Sequence, residues 1–216
     1  MKKLIEPNFE IEKSIFKTND KYIAGVDEVG RGALAGPIVA AAVVFKKYDD
    51  IIQYLGGVKD SKLLSATIRK QIDRVVRHEA HSYSLGVVSP AEIDACGIGA
   101  ANILAFKRAL DGLIMCDYAL IDGKKFRGFD YPYRCIEKGE SKSLSIAAAS
   151  VIAKVYRDDL MDMEHMRYKE YGFNHNKGYG SIDHFKVLHK LGPSPIHRKS
   201  FIRDFYLNEK NNKLFV

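Results

Sequence analysis

Residues 22–37 read Tyr22-Ile-Ala-Gly25-Val-Asp27-Glu28-Val-Gly30-Arg31-Gly32-Ala-Leu-Ala-Gly36-Pro37. The stretch from Tyr22 to Val26 is apolar and β-favouring, which predicts a strand. Asp27 and Glu28 follow directly, and glycines then break the pattern. An unpaired charge in a low-dielectric interior is costly, so a strand that carries two acids into the body of a protein calls for a cation to meet them. A divalent metal ion is the usual partner of clustered carboxylates. Taken alone, the pair also fits a solvated strand end. Gly25, Gly30, Gly32 and Gly36 argue for a backbone that bends sharply or lets a ligand come close. The Gly25…Gly30-Arg31-Gly32 spacing brushes against a phosphate-binding loop. It lacks the Lys-Ser/Thr ending and encloses two carboxylates, which excludes a triphosphate site.

Outward from this stretch, residues 22–28 and 36–46 predict two long strands joined by the glycine turn. Residues 1–20 are polar and predict a short helix or a loosely held end. Residues 49–55 read as a short helix. Residues 65–79 have helical spacing, with Ile68, Ile72, Val75 and Val76 on one face and Ser65 as N-cap. Residues 81–89 alternate as a third strand. Pro90 opens a short helix, and residues 100–115 form a second one with Ile103, Leu104, Leu110 and Ile114 facing inward. Residues 118–121 and 133–137 are further strands. Residues 143–171 read as one long helix whose small residues, Ser145, Ala147–149, Ser150 and Ala153, allow close packing on a sheet. Residues 181–190 form another helix, Gly192-Pro-Ser-Pro195 breaks it, and residues 201–208 close the chain with a last short one. Strands followed by alternating strands and helices indicate an α/β core. The organisation expected is a catalytic domain over residues 1–167 and a C-terminal helical substrate-binding region over 168–216.

The 216 residues allow one sizeable core with an appended subdomain, and 46% hydrophobic with 28% charged residues suits a globular protein. No apolar run approaches the ~18–20 residues of a membrane span. The N-terminal residues lack the apolar stretch of a signal peptide, so the expected location is cytoplasmic. Cys96, Cys116 and Cys135 show no Cys-x-x-Cys spacing and read as reduced thiols, and the seven histidines read mostly as surface or capping residues. The net charge is +7. Between Arg167 and Arg203 the only acids are Glu170 and Asp183, while Tyr168, Tyr171, Phe173, Tyr179 and Phe185 are interleaved with eight basic residues. That mixture fits a nucleic-acid surface, and equally a solvated basic helical region.

Asp122 ends the strand at 118–121, and Glu140 stands at the entry to the long helix. Ligands gather at strand ends in α/β sheets, so Asp27, Glu28, Asp122 and Glu140 could converge. Four oxygen donors with no histidine or thiolate suit Mg²⁺ or Mn²⁺ rather than zinc. Singly, Asp122 fits a turn-forming aspartate and Glu140 a helix-dipole partner.

Five motifs in order resemble the ribonuclease HII family: Gly-Val-Asp27-Glu28-Val-Gly-Arg-Gly with Ala-Gly-Pro37; Ile-Asp122-Gly; Lys-Gly-Glu140-Ser-Lys-Ser with Ile-Ala-Ala-Ala-Ser-Val-Ile-Ala-Lys-Val-Tyr-Arg-Asp158; Lys177-Gly-Tyr179-Gly; and Gly-Pro-Ser-Pro-Ile-His197-Arg-Lys-Ser-Phe201. The resemblance implies an RNase H-like mixed β-sheet flanked by helices, hydrolysis of RNA in RNA–DNA hybrids, and incision at single ribonucleotides embedded in duplex DNA. It implies two Mg²⁺ or Mn²⁺ ions held by Asp27, Glu28, Asp122 and Glu140. Glu140 departs from the family's usual aspartate and matches the glutamate of the related ribonuclease HIII group. It further implies that Gly30, Arg31 and Gly32 sense the 2′-hydroxyl, that Tyr179 stacks on the sugar beside the junction, and that Lys177 belongs to the substrate-binding set. The family's usual His-Lys-Gly-Tyr is Asn176-Lys-Gly-Tyr here, with His175 one place early. A monomer is expected. The other readings are a different nuclease of the same superfamily, such as a junction resolvase, and a non-catalytic hybrid-binding module.

Overall fold

The structure, a computed structural model, describes residues 7–15, 21–46, 48 and 65–207, without the side chains of 204–207. The helix expected over 49–55 lies outside these residues. Five strands form one mixed sheet: β1 (Ile23–Val29), β2 (Ile38–Val44), β3 (Ser82–Val88), β4 (Tyr118–Asp122) and β5 (Tyr133–Ile136), in the spatial order β3-β2-β1-β4-β5. β1 runs antiparallel to β2, and β2 to β3, whereas β4 is parallel to both β1 and β5.

β2 shows why the sheet is central. It is apolar at every position and buried at every position. Alternation sends Ile38, Ala40, Ala42 and Val44 to one face and Val39, Ala41 and Val43 to the other. One face is covered by α3 (Pro90–Asp111), the other by α4 (Leu144–Arg167). Each fully buried Ile or Val contributes about 1.5–3 kcal/mol over its exposed state. α2 (Ala66–Glu79) packs against α4, with the Ser65 hydroxyl capping the Ile68 N–H as expected. Ile68 itself is 46% exposed, so the inward face is Ile72, Val75 and Val76.

α4 approaches β1 very closely. A Cβ on Gly25 would lie 2.1 Å from the Ser145 carbonyl carbon, so the glycine makes room for a helix backbone rather than for a ligand. α1 (Glu10–Ile15) is tied to the same place: buried Glu12 accepts from the Ser143 hydroxyl at 2.6 Å and the Ser145 hydroxyl at 2.5 Å.

The short helix expected at Pro90 and the one expected from residue 100 are both present, as two helical segments of α3 that meet at a non-helical kink at Gly97, whose φ is 79°. Two helix limits change. α3 ends at Asp111, which leaves Ile114 77% exposed instead of facing inward. The long helix stops at Arg167, and a separate 3₁₀ turn covers Lys169–Tyr171. Beyond it lie α5 (Phe173–Asn176), α6 (Ile182–Leu191) and α7 (Lys199–Leu207). These share an apolar cluster of Met161, Tyr171, Phe173, Leu188 and Ile202, into which Ala35 of the loop after β1 inserts. No helix among the described residues is long and apolar enough to cross a membrane.

Candidate active site

Strand alternation puts Asp27 and Glu28 on opposite faces of β1. Asp27 is on the α4 side, where it accepts from Ser150. Glu28 is on the α3 side, where it meets the Asn102 side chain. β4 runs beside β1 in parallel and ends at Asp122, so all three acids reach one end of the sheet. Their charges interact. Burial, then Glu28 and Asp122, push the Asp27 carboxyl well above the ordinary carboxylate range, against the Ser150 hydroxyl and the Glu28 N–H, which donates at 2.7 Å. Burial raises Glu28 to about 6, with Asp122 adding to the rise and Arg31 and Asn102 opposing it.

The 3₁₀ turn Gly139–Ser141 brings Glu140 to the same strand end: the Gly139 N–H donates to Asp122 Oδ1 at 2.6 Å. Glu140 Oε2 is out of contact with solvent. Its charge is not among the main influences on Asp27 or Glu28. Among the described residues, no three His, Cys, Asp or Glu side chains enclose a metal-sized position, so the acids stand as interacting neighbours and not as a closed cage. The donor set nevertheless fits a hard divalent ion: all-oxygen donors whose mutual repulsion a cation would relieve.

The Gly30–Pro37 loop borders these acids, and two arginines that sequence reading left without a role hold it in shape. Both are fully buried. Arg198 donates from Nε to the Gly36 carbonyl at 2.9 Å, from Nη1 to Arg31 at 2.9 Å and from Nη2 to Gly30 at 2.6 Å. Arg157 donates to Pro37 at 2.9 Å, Lys177 at 2.9 Å and Ala35 at 3.2 Å. Burial, with the charge of Arg157 next, lowers Arg198 to about 9. The planar five-donor guanidinium is the side chain able to fix several carbonyls at once. Gly30 and Gly32 serve different ends. Gly30 has φ 88°, and a Cβ there would lie 2.0 Å from Arg157 Nε, whereas a Cβ on Gly32 would meet open space.

Tyr179 stands on the far side of this loop, 38% exposed, with the Arg157 guanidinium 5.4 Å from its ring centroid. Leu34 and Ala35 donate their N–H groups to Gly178, at 2.8 and 3.2 Å, and so join its turn to the loop. Lys177 has its ammonium on Asp162 and on the Asp158 carbonyl. Two of the histidines read as surface residues are buried, and they form a relay. The Ser194 N–H donates to His197 Nδ1 at 2.9 Å, which leaves the proton of neutral His197 on Nε2, 2.9 Å from His184 Nε2. His184 Nδ1 then donates to the Tyr179 carbonyl at 2.8 Å. Burial lowers the pKa of both rings, His197 to about 4. The motif Gly192-Pro-Ser-Pro-Ile-His197 carried this signal, but only the fold shows its partner.

Three strand-end acids on a mixed sheet, faced by a glycine loop and helices, make this an RNase H-like α/β hydrolase. The chain belongs to the ribonuclease HII family, whose model matches residues 24–204. It is 47% identical over 184 residues to ribonuclease HII of Clostridioides difficile, covering 85% of this chain and 71% of that one. It is 44% identical to ribonuclease HII of Syntrophotalea carbinolica, covering 88% and 90%. Among solved structures it resembles ribonuclease H2 of Pyrococcus horikoshii, with TM-score 0.73, 27% identity, and 89% and 99% of the two chains covered. The ribonuclease HII of a PCNA complex from Archaeoglobus fulgidus gives TM-score 0.70 at 25% identity, over 82% and 93%. The fold also matches that of Bst-RNase HIII in complex with Mn²⁺, at TM-score 0.65 and 22% identity over 88% and 71%. The protein is thus a metal-dependent ribonuclease H endonuclease acting on nucleic acid.

Proposed function

We propose that this endonuclease cleaves the RNA strand of RNA–DNA hybrids and incises duplex DNA at single embedded ribonucleotides, leaving 3′-hydroxyl and 5′-phosphate ends. The observation that carries the reading is one continuous wall: Asp27, Glu28 and Asp122, then the arginine-braced Gly30-Arg31-Gly32 loop, then Tyr179. Asp27, Glu28, Asp122 and Glu140 would hold two divalent ions, Mg²⁺ or Mn²⁺. When bound, two such ions supply Lewis-acid stabilisation of the attacking and leaving oxygens of a phosphodiester. The chain's own part is to orient. The open face of Gly32 admits a ribose against the backbone, where the 2′-hydroxyl distinguishes RNA from DNA. Arg31, whose charge already acts on Glu28, lies beside the same acids. The Tyr179 ring offers a sugar-stacking surface. Action as a monomer is part of the same proposal.

The test is cleavage of a DNA duplex bearing one ribonucleotide, with and without chelator, beside Asp27→Asn. Asp27→Asn keeps the shape and removes the charge, so activity should fall by orders of magnitude with the fold intact. Near-normal turnover of that variant in saturating Mg²⁺, or cleavage that survives chelation, would refute the reading.

A further inference from the structure

A second basic site lies at the edge of the sheet, outside the wall just described. Beside edge strand β5 is an open pocket of about 680 Å³, whose lining includes Lys124, Lys125, Tyr133, Arg134, Cys135 and Glu137. We infer that it is a phosphate-backbone subsite that grips the duplex flank next to the cleavage position. The inference rests on the nuclease reading above and extends it to a surface that reading does not use.

Position is the first reason. Gly123 and Lys124 directly follow Asp122, so the pocket begins where the strand-end acids stop. Arg134 pairs in register with Leu120, two residues back along β4 from Asp122. Two residues of strand span about 7 Å, close to two nucleotide rises of a duplex strand.

Charge is the second. Several cations elsewhere are spent on neighbours: Lys70 on Asp159, Lys107 on Asp111, Lys154 on Asp158, Lys177 on Asp162 and Lys186 on Asp183. No ion pair joins Lys124, Lys125 or Arg134 to an acid among the described residues. Three cations against Glu137 leave the pocket net positive, which complements a polyanionic backbone.

Rigidity is the third. The loop that carries the lysines is pinned from beneath by aromatic rings. Phe126 stacks on Tyr133 at 5.0 Å and on Phe106 of α3 at 5.9 Å, and Phe129 meets the Tyr133 ring edge-on at 5.3 Å. The Tyr133 hydroxyl donates to the Phe126 carbonyl at 2.5 Å, and the Tyr131 hydroxyl to Asp111 on α3 at 2.5 Å. A loop held this way presents its cations with little ordering cost on binding.

The test compares wild type with the triple variant Lys124→Ala, Lys125→Ala, Arg134→Ala. All three side chains are exposed, so the variant should keep its melting temperature. Fluorescence anisotropy in chelator would follow binding of a long and a minimal duplex carrying one ribonucleotide. For the long duplex, affinity in about 0.1 M salt should fall tenfold or more, and the slope of log K against log salt should shrink by about two to three. The minimal duplex, cleaved with Mg²⁺, should keep its kcat. Cys135 supplies a positional readout: the long duplex should slow its alkylation in the chelated wild type, while exposed Cys96, outside the pocket, reacts as before. An unchanged salt slope, or Cys135 alkylation that ignores the long duplex, overturns the subsite. A wild type that cleaves neither duplex sinks the nuclease reading instead, so the two failures are distinct.

Discussion

Replacing Arg198 by methionine removes three hydrogen bonds from the loop beside the acids while keeping an unbranched apolar stem. Of the three acceptors, Gly30 retains the Ala33 N–H at 3.2 Å, so the Arg31 and Gly36 carbonyls lose the most. A buried acceptor left unmade costs about 1–3 kcal/mol, which sets the loss at roughly 2–6 kcal/mol. Methionine also relieves the fold of a buried charge, an exchange that can return about 1–4 kcal/mol. The net is about 2 kcal/mol. For a chain of this size that shifts Tm by about 4–8 °C, which a thermal melt would read. Activity should suffer more than stability. A displacement of reacting groups by about 1 Å costs up to ~100-fold, so kcat/KM on a single-ribonucleotide duplex should fall by that order. Binding of an all-DNA duplex in chelator should be unaffected. Arg198→Lys should recover only part of the activity, because one ammonium cannot span three carbonyls. A methionine variant with lowered Tm and unaltered kcat/KM would reduce Arg198 to a packing residue and refute the reasoning.

If Glu140 holds a metal ion, Glu140→Gln should cut the rate strongly while Glu140→Asp is tolerated; equal rates for wild type and Glu140→Gln in both Mg²⁺ and Mn²⁺ would leave it a capping acid. Stacking by an aromatic is worth roughly 1–3 kcal/mol, so Tyr179→Ala should lose about tenfold or more on a single-ribonucleotide duplex, and less on a long hybrid, where further 2′-hydroxyls compensate. Equal losses on both substrates would assign Tyr179 to the fold. His197 titrates near 6.5 when unfolded but only at about 4 in the fold, so the unfolded chain binds the extra proton first. The His197 contribution to stability should therefore be constant above pH 6.5 and be lost between pH 6.5 and 4, by an amount on the order of 3 kcal/mol, against the opposite slope of the raised Asp27 and Glu28 carboxyls. Melts of His197→Gln should lose the histidine's slope; an identical slope would place the acid sensitivity elsewhere.

Much of this protein was legible in local pattern. The unbroken apolar run within residues 36–46 marks a strand buried on both faces, and the alternation along 81–89 marks one whose successive side chains point to opposite faces. Ser65 read as an N-cap because a hydroxyl there can reach the first free N–H groups. The acids were legible as chemistry because Asp27-Glu28 ends an apolar run, and their family assignment followed from ordered motifs. Helix limits were less so. The ends of α3 and α4 depend on where the sheet stops covering them, which Ile114 and Arg167 do not announce. The opposite directions of Asp27 and Glu28, toward Ser150 and Asn102, required the sheet to be covered on both faces. The role of Arg157 and Arg198 was invisible for a related reason. Their acceptors are backbone carbonyls more than a hundred residues away for five of six bonds, and a carbonyl has no sequence signature. The same holds for His184 and His197, whose tautomers follow from one N–H at Ser194. Sequence alone determined which residues carry charge and which segments seek burial, since both are properties of the side chains in order. Tertiary structure decided which loop those charges brace, because that depends on distances that close only when the chain has packed.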